Sequence, residues 1–344
     1  MKRMLIVIAA LLAVLLTGLI VGSLQFNRFL ETPVTVPANG ASFEIEPGSS
    51  LGKVSRQLAE QGIISKPEWF RRYGSWAGEA AAIKAGDYLI EPGTTPAELL
   101  QLFADGTVQL YSFTIIEGWN HWELLQAIHD HPEISAELQD DQWPAFIAEL
   151  GSDAASPEGL FLPETYRFPR GTSDKVVLKQ AFELMQEVLA EEWQGRAKDL
   201  PIESPYEALV LASIIEKETG RADERARISG VFVRRLQKRM RLQTDPTVIY
   251  GLMPDFNGNL TRSNMRSDTP YNTYTRAGLP PTPIAMPGRA AINAALHPAD
   301  GDEIYFVATG LGDGGHTFSV TKEEHDAAVQ EYLKRLRQQR RSGN

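Results

Sequence analysis

The 344-residue sequence contains no cysteine. That absence excludes disulfides, thiolate catalysis and zinc–thiolate sites, and it is silent about compartment. Histidine is scarce, with six residues scattered along the chain. His129 and His131 lack a convincing metal-ligand spacing, so neither a metal nor a cofactor is expected. Positive charge is in deficit, the formal net charge being −10. This argues against nucleic acid, whose binding calls for a basic surface. A G-x-S-x-G elbow, a P-loop, an H-E-x-x-H pair and a dinucleotide fingerprint are all missing. No low-complexity tract or fixed-period repeat occurs.

One long apolar run is present. Lys2 and Arg3 precede an uncharged stretch from Met4 to Leu24. At about 1.5 Å per residue this run is roughly 30 Å long, enough to cross a bilayer core. A cleavable signal peptide usually has an apolar region of only about 7–15 residues. "VGS" at 21–23 is a faint cleavage site at best, and no cysteine is available for a lipid anchor. A retained single-pass anchor is therefore favoured over a signal peptide. The basic residues at the start keep the N-terminus cytoplasmic and export the remainder. This predicts a protein of the inner (cytoplasmic) membrane with its bulk in the periplasm or other extracytoplasmic space. The exported part exceeds the usual size of one domain, so two are expected.

The expected organisation is a cytoplasmic tip and transmembrane anchor over 1–24, a tether over 25–40, a small unit over 41–108 and a catalytic domain over 109–340. The fold class is α+β. In the small unit, "ASFEIEPGSSLGKVSRQLAEQGII" predicts a short strand, a Pro-Gly turn and a helix begun near Ser49 or Ser50. "KPEWFRRYGSWAG" predicts a second helix. "IKAGDYLIEPGTTPAELLQLFADG" repeats the strand, turn and helix, with Thr95 before Pro96 as cap. Two such strands flanking helices resemble LysM domains, which bind N-acetylglucosamine-containing glycans. A small α+β spacer without a ligand fits the same pattern. Further on, "VQLYSFTIIEG" reads as a strand, and helical segments follow to about 150. Loops rich in Gly, Pro, Asn, Thr and Tyr then recur between helices, the kind of segment that carries function on a rigid scaffold.

The stretch "LASIIEKETG" (211–220) concentrates the question of chemistry. Its helix starts at Ser204 as N-cap with Pro205 in the first position, and Glu207 completes the pattern of a capping box. Leu209, Val210, Leu211, Ala212, Ile214 and Ile215 are apolar on all sides, so the helix is expected to be buried. It ends in Glu216-Lys217-Glu218. The two glutamates point to widely different faces. Glu218 follows Leu211, Ile214 and Ile215, and Glu216 follows Leu209, Ala212 and Ser213. A carboxyl closing an apolar stripe is partly desolvated, which suits a general acid. Both could equally solvate the helix end or pair with Lys217 or Arg221.

Taken with "EGLFLPETY" (158–166), "RLQTDPTVIYG" (241–251), "YNTYTRAGLPPTPIAMPG" (271–288), "AALHP" (294–298) and "GGHTFS" (314–319), the stretch "LASIIEKET" resembles the MltG/YceG-like family of membrane-anchored endolytic murein transglycosylases. The resemblance implies that the second glutamate of E-K-E-T, Glu218, is catalytic. It implies cleavage of MurNAc–GlcNAc linkages in nascent peptidoglycan strands to give 1,6-anhydro-MurNAc ends, which would terminate strand elongation. Peptidoglycan synthases or division proteins are the partners it suggests. Residue type then offers supports. Gln243, Thr244, Asp245, Tyr271, Asn272 and Thr273 could hydrogen-bond sugar hydroxyls and acetamido groups, and Tyr250 and Tyr274 offer faces for pyranose packing. Glu164 is a second acid near the cleft by analogy, His316 could touch substrate, and "RRLQKRMR" (234–241) could attract stem-peptide carboxylates or be a solvated helix face. A hydrolytic muramidase using Asp245 or Glu164 as base, and a non-catalytic peptidoglycan-binding scaffold, remain the other readings.

Overall fold

The computed structural model describes residues 2–342, and side chains from Met4 to Gln339. Met1, at the start of the expected cytoplasmic tip, and the side chains of Lys2 and Arg3, which set the expected orientation, lie outside the described residues. The chain forms two compact units. The first runs to Tyr111 and takes in Phe168–Arg170; the second holds Ser112–Arg167 and continues from Gly171.

The first unit begins with helix α1 (Lys2–Glu31). Its Met4–Glu31 stretch is long and apolar enough to cross a membrane. α1 runs on through Gln25–Glu31, part of the expected tether. The reason is local: from Ser23 onward no Gly or Pro interrupts the chain until Pro33, whose ring disfavours a helical conformation at Thr32. Strands β1 (Ala41–Ile45) and β2 (Gly86–Ile90) pair antiparallel, Ala41 facing Ile90 and Ile45 facing Gly86. Between them lie α2 (Leu51–Glu60), capped by Ser50, and α3 (Pro67–Trp76). α4 (Pro96–Asp105) follows, with Thr95 and Glu98 forming a complete capping box. Phe43, Ile45, Tyr88 and Ile90 point from the sheet into a core shared with Val54, Leu58, Phe70, Leu99 and Phe103. Buried Asp87 explains why a distant strip joins this unit: the guanidinium of Arg170 pairs with it at 2.5 Å.

The second unit is mainly helical. β3 (Leu110–Thr114) leads in, its first two residues still counted with the first unit, followed by α5 (His121–His129), β4 (Ile134–Ser135), α6 (Trp143–Glu149), β5 (Thr165–Pro169), whose last two residues also belong to the first unit, and β6 (Thr172–Ser173). Next come α7 (Asp174–Gly195), α8 (Pro205–Glu218), α9 (Arg225–Gln237), α10 (Asp245–Tyr250), α11 (Arg262–Arg266) and α12 (Arg289–Leu296). A β7 (Tyr305–Ala308) and β8 (His316–Ser319) hairpin and α13 (Lys322–Ser342) close the chain.

α8 is the axis of this unit. Every residue from Ala208 to Ile215 is buried, and α7, α9, α10 and α12 pack around it. Each Leu or Ile so buried contributes about 1.5–3 kcal/mol of apolar transfer, which fixes the helix firmly enough to aim its end. The start is as expected at Ser204, whose hydroxyl accepts the N–H of Glu207. The capping box is only half formed: the Glu207 carboxylate takes the N–H of Glu203 instead. Buried Ser213 ties the helix to a loop, its hydroxyl donating to Val210 O and accepting the N–H of Ile284 at 3.0 Å. On the same loop Pro283 lies against Gly159, whose φ is +77° and whose position would put a Cβ 2.6 Å from the proline ring. A side chain there would be excluded twice, by conformation and by contact.

Candidate active site

Glu218 is the last residue of α8. Thr219 takes an extended φ of −149°, ending the helix at a β-branched residue that is followed by Gly220. The Glu218 side chain leaves this terminus into a cavity of about 470 Å³, bounded near the carboxyl by Gln243, Thr244, Asp245 and Tyr274. Thr244 Oγ1 donates a hydrogen bond to Glu218 Oε1. Thr244 is itself held from behind: Thr273 Oγ1 accepts its N–H at 3.1 Å, and Thr247 Oγ1 donates to its carbonyl at 2.9 Å. A small buried cluster of threonines therefore fixes the one hydroxyl that meets the acid.

Burial pushes the Glu218 carboxyl up from the ordinary carboxylate range, and the charge of Asp245 pushes the same way. The Thr244 hydrogen bond and the proximity of His316 oppose the shift without cancelling it. The result is a carboxyl that keeps its proton to higher pH than an ordinary glutamate while remaining open to a cavity. Asp245 Oδ1 accepts the Tyr274 hydroxyl at 2.5 Å, which sets two further polar groups beside the first. Gln243 precedes Thr244 in a left-handed conformation, φ +54°, a geometry that costs a non-glycine residue about 1–2 kcal/mol. The bond from its N–H to Thr273 O at 3.2 Å helps hold it there. Strain of this kind concentrates at functional sites.

The structure separates the remaining candidates. Tyr250 is buried in the core, its ring 5.8 Å from Trp122 and 5.0 Å from Tyr271. Tyr271 bonds Thr282 through its hydroxyl. Asn272 is 1% exposed, and its amide donates to the carbonyls of Asn264, Met265 and Ser267. Thr273 belongs to the threonine cluster. These four support the loops and do not line the cavity. Glu164 is exposed and away from the cavity lining; it precedes β5 and folds back so that Oε1 accepts the N–H of Thr165. His316 lies near Glu218, with Nδ1 2.7 Å from Glu224 Oε2 and its N–H on Glu224 Oε1.

Glu216 occupies a different niche. Oε2 accepts the N–H of Gly288 at 3.0 Å, and Oε1 lies 3.7 Å from the Arg225 guanidinium. Lys217 Nζ donates to Gly118 O. The pairings open to these residues in the sequence, with Lys217 or Arg221, are not those formed; Arg221 instead meets Asp223 and Asp313.

The cavity is also lined by Tyr305, Phe306, Lys322 and His325, which no sequence motif marks, and by Arg235. Arg235, in the "RRLQKRMR" run, is 7% exposed and donates to the carbonyls of Ile304, Arg241 and Leu242. It is thus a buried pin. The signal was in the spacing: Arg235 continues the helical stripe of Ile228, Val231 and Phe232, all buried.

Comparison with known proteins adds an independent line. The YceG-like family matches residues 43–331. A Bacillus subtilis (strain 168) protein named endolytic murein transglycosylase is 28% identical over 333 residues, covering 91% of this chain and 90% of the relative. A Streptococcus pneumoniae (serotype 2) protein of the same name is 25% identical over 96% of this chain, which spans 65% of that relative's length. The crystal structure of a yceG-like protein from Listeria monocytogenes is similar with a TM-score of 0.54 and 28% identity, covering 85% of this chain and 99% of that one.

Proposed function

The chain belongs to the YceG-like family, and on that premise we propose that it is a peptidoglycan transglycosylase with Glu218 as its acid. The observation that carries this reading is a buried, proton-retaining carboxyl at a helix end, open to a cavity and met by one fixed hydroxyl.

The chemistry requires one carboxyl. Ordinary glycosidases use two, one as acid and one as nucleophile or base. Here the substrate supplies the nucleophile. Glu218 donates its proton to the oxygen linking the muramyl C1 to the next N-acetylglucosamine, and that C–O bond breaks. The resulting carboxylate takes the proton of the muramyl C6 hydroxyl, whose oxygen bonds to C1. The products are a free hydroxyl end and a 1,6-anhydro end; no water is consumed and Glu218 regains its proton. Closure within one sugar has the advantage of proximity, provided the ring is held in a compatible shape. Gln243, Asp245 and Tyr274 are the groups available for that holding. Membrane anchoring by α1 keeps the activity on nascent strands near the bilayer. A LysM-like glycan-binding role for 41–108 belongs to the same proposal.

Asp245 lines the same cavity, which keeps a hydrolase with Asp245 as base as the second reading. The deciding experiment incubates the full chain in detergent, and its Glu218→Gln variant, with uncrosslinked glycan strands, and reads the products by mass spectrometry. Anhydro-ended fragments, absent with the variant, are expected. Reducing ends would replace this reading with hydrolysis. Glycan binding without fragments would leave a scaffold.

A further inference from the structure

The observation lies where α1 enters the first unit, and the inference rests on reading α1 as a membrane anchor. Beyond the apolar run, the Phe26 ring lies 5.7 Å from Trp69 and 6.5 Å from Tyr73, and Tyr73 lies 6.5 Å from Trp76. Trp69, Tyr73 and Trp76 recur at helical spacing along one side of α3, while Phe70 and Gly74 bury the other. Trp76 is 82% exposed. Amphipathic rings beside the end of an apolar helix are suited to the headgroup level of a bilayer.

A cavity of about 540 Å³ opens at the same place. Arg28 and Lys66 line it with the hydroxyl residues Thr32, Thr35 and Ser65, and Val34 and Ile63 are among its apolar wall. No carboxylate residue is in the lining. Among the described residues the Arg28 guanidinium has no ion pair or hydrogen bond, and the Lys66 ammonium meets the face of Trp69, 3.7 Å from its centroid, and no acid. In a chain of net charge −10, two cations facing one cavity without an acid leave positive charge for an outside anion. Near a bilayer surface, basic residues are drawn to anionic headgroups.

We propose that this cavity seats the phosphodiester headgroup of an anionic phospholipid in the leaflet from which α1 emerges, with Arg28 and Lys66 as its cations. A lipid fits better than a soluble anion because part of the wall is apolar, the rings of α3 lie alongside, and the membrane helix supplies one side of the cavity. The seat would fix the height and the rotation of the first unit on the membrane.

The test reconstitutes the full chain in nanodiscs of phosphatidylcholine and phosphatidylglycerol at three to one. Lipids retained after mild detergent release are measured by native mass spectrometry. Phosphatidylglycerol should be enriched over its share of the disc. Enrichment should fall roughly five-fold for each cation removed, the scale of one basic residue at an anionic surface, in Arg28→Gln, Lys66→Gln and the double variant. The exchange Arg28→Lys with Lys66→Arg should keep it, so that lost charge is distinguished from lost folding. Equal retention by wild type and double variant would overturn the seat. Displacement of the phosphatidylglycerol by an equimolar prenyl diphosphate would overturn its assignment to a phospholipid. A chain extracted from membranes by alkaline carbonate would overturn the anchor reading and the seat with it. A chain that stays inserted without enrichment overturns the seat alone.

Discussion

The two glutamates at the end of α8 sit two residues apart, and burial is the leading cause that raises both carboxyls above their ordinary range. Their surroundings nonetheless differ. Glu216 is enclosed, its side chain 5% exposed, with a backbone N–H on one oxygen and a guanidinium near the other. Glu218 has one hydroxyl on one oxygen and a cavity in front. A raised pKa by itself therefore does not single out Glu218 as the proposed acid. What distinguishes Glu218 is hydrogen-bonding capacity left unused and a path by which a substrate reaches it. Glu216 spends its capacity joining α8 to the start of α12; Glu218 keeps its own.

The largest expected break in this comparison is Glu218→Gln, which should lower the cleavage rate by roughly 10²–10⁴, the range for losing a general acid, with the far-UV spectrum unchanged. Equal loss in both Glu216→Gln and Glu218→Gln, each folded, would erase the distinction. Thr244→Val comes next. It removes the donor to the carboxyl, worth about 1.4 kcal/mol or tenfold in rate. That hydrogen bond lowers the Glu218 pKa, so the variant's acid should stay protonated to higher pH. The basic limb of the rate profile should then move upward, and an unmoved limb would deny Thr244 its role.

Stability sharpens the same contrast. Because the folded-state pKa of Glu218 is raised, the native state holds that proton more tightly than the unfolded chain. Stability from this source is complete below the unfolded pKa and is lost as pH rises through the folded one. Glu218→Gln should therefore be more stable than wild type at pH 8, by about 0.5–2 kcal/mol, with the gap closing as pH falls. Thermal unfolding at several pH values measures this; a gap that widens toward acid would reverse the sign. The smallest effect on activity belongs to Glu216→Gln. The amide oxygen still accepts the Gly288 N–H and the charge that is lost faces Arg225, not the cavity around Glu218, so activity should stay within a few-fold in the same cleavage assay.

Local chemistry made much of the frame legible. Ser50, Thr95 and Ser204 cap the helices that follow them, because a cap is decided within one turn of chain. The burial of α8 was written in an apolar run without a polar face. That run did not decide between the two glutamates, and the family resemblance is what proposes Glu218 as the acid. The loops were harder. Tyrosine, asparagine and threonine serve a sugar site and a loop core equally well; Tyr271, Asn272 and Thr273 turn inward on bonds to residues distant in sequence or to neighbouring loop carbonyls, and Tyr250 by packing its ring against Trp122 and Tyr271. Tyr305, Lys322 and His325 reach the cavity from the C-terminal segment, and no short-range pattern announces such an encounter.

The junction after α1 has a mechanical consequence. Phe29, still within the helix, and Val34, just beyond it, are both buried in the first unit's core. Val34 N–H bonds Thr94 O at 2.8 Å and Thr35 N–H bonds Ile63 O at 3.0 Å. The connection is a stem set in a socket, with no slack of the kind a free rope would give. A load on the first unit would be passed to the helix as tilt and torque instead of being taken up by a loosening linker. On the anchored reading, the bilayer then acts as a ruler for that unit, and inserting a flexible glycine segment after Glu31 would erase its markings without touching a single residue of the cavity around Glu218.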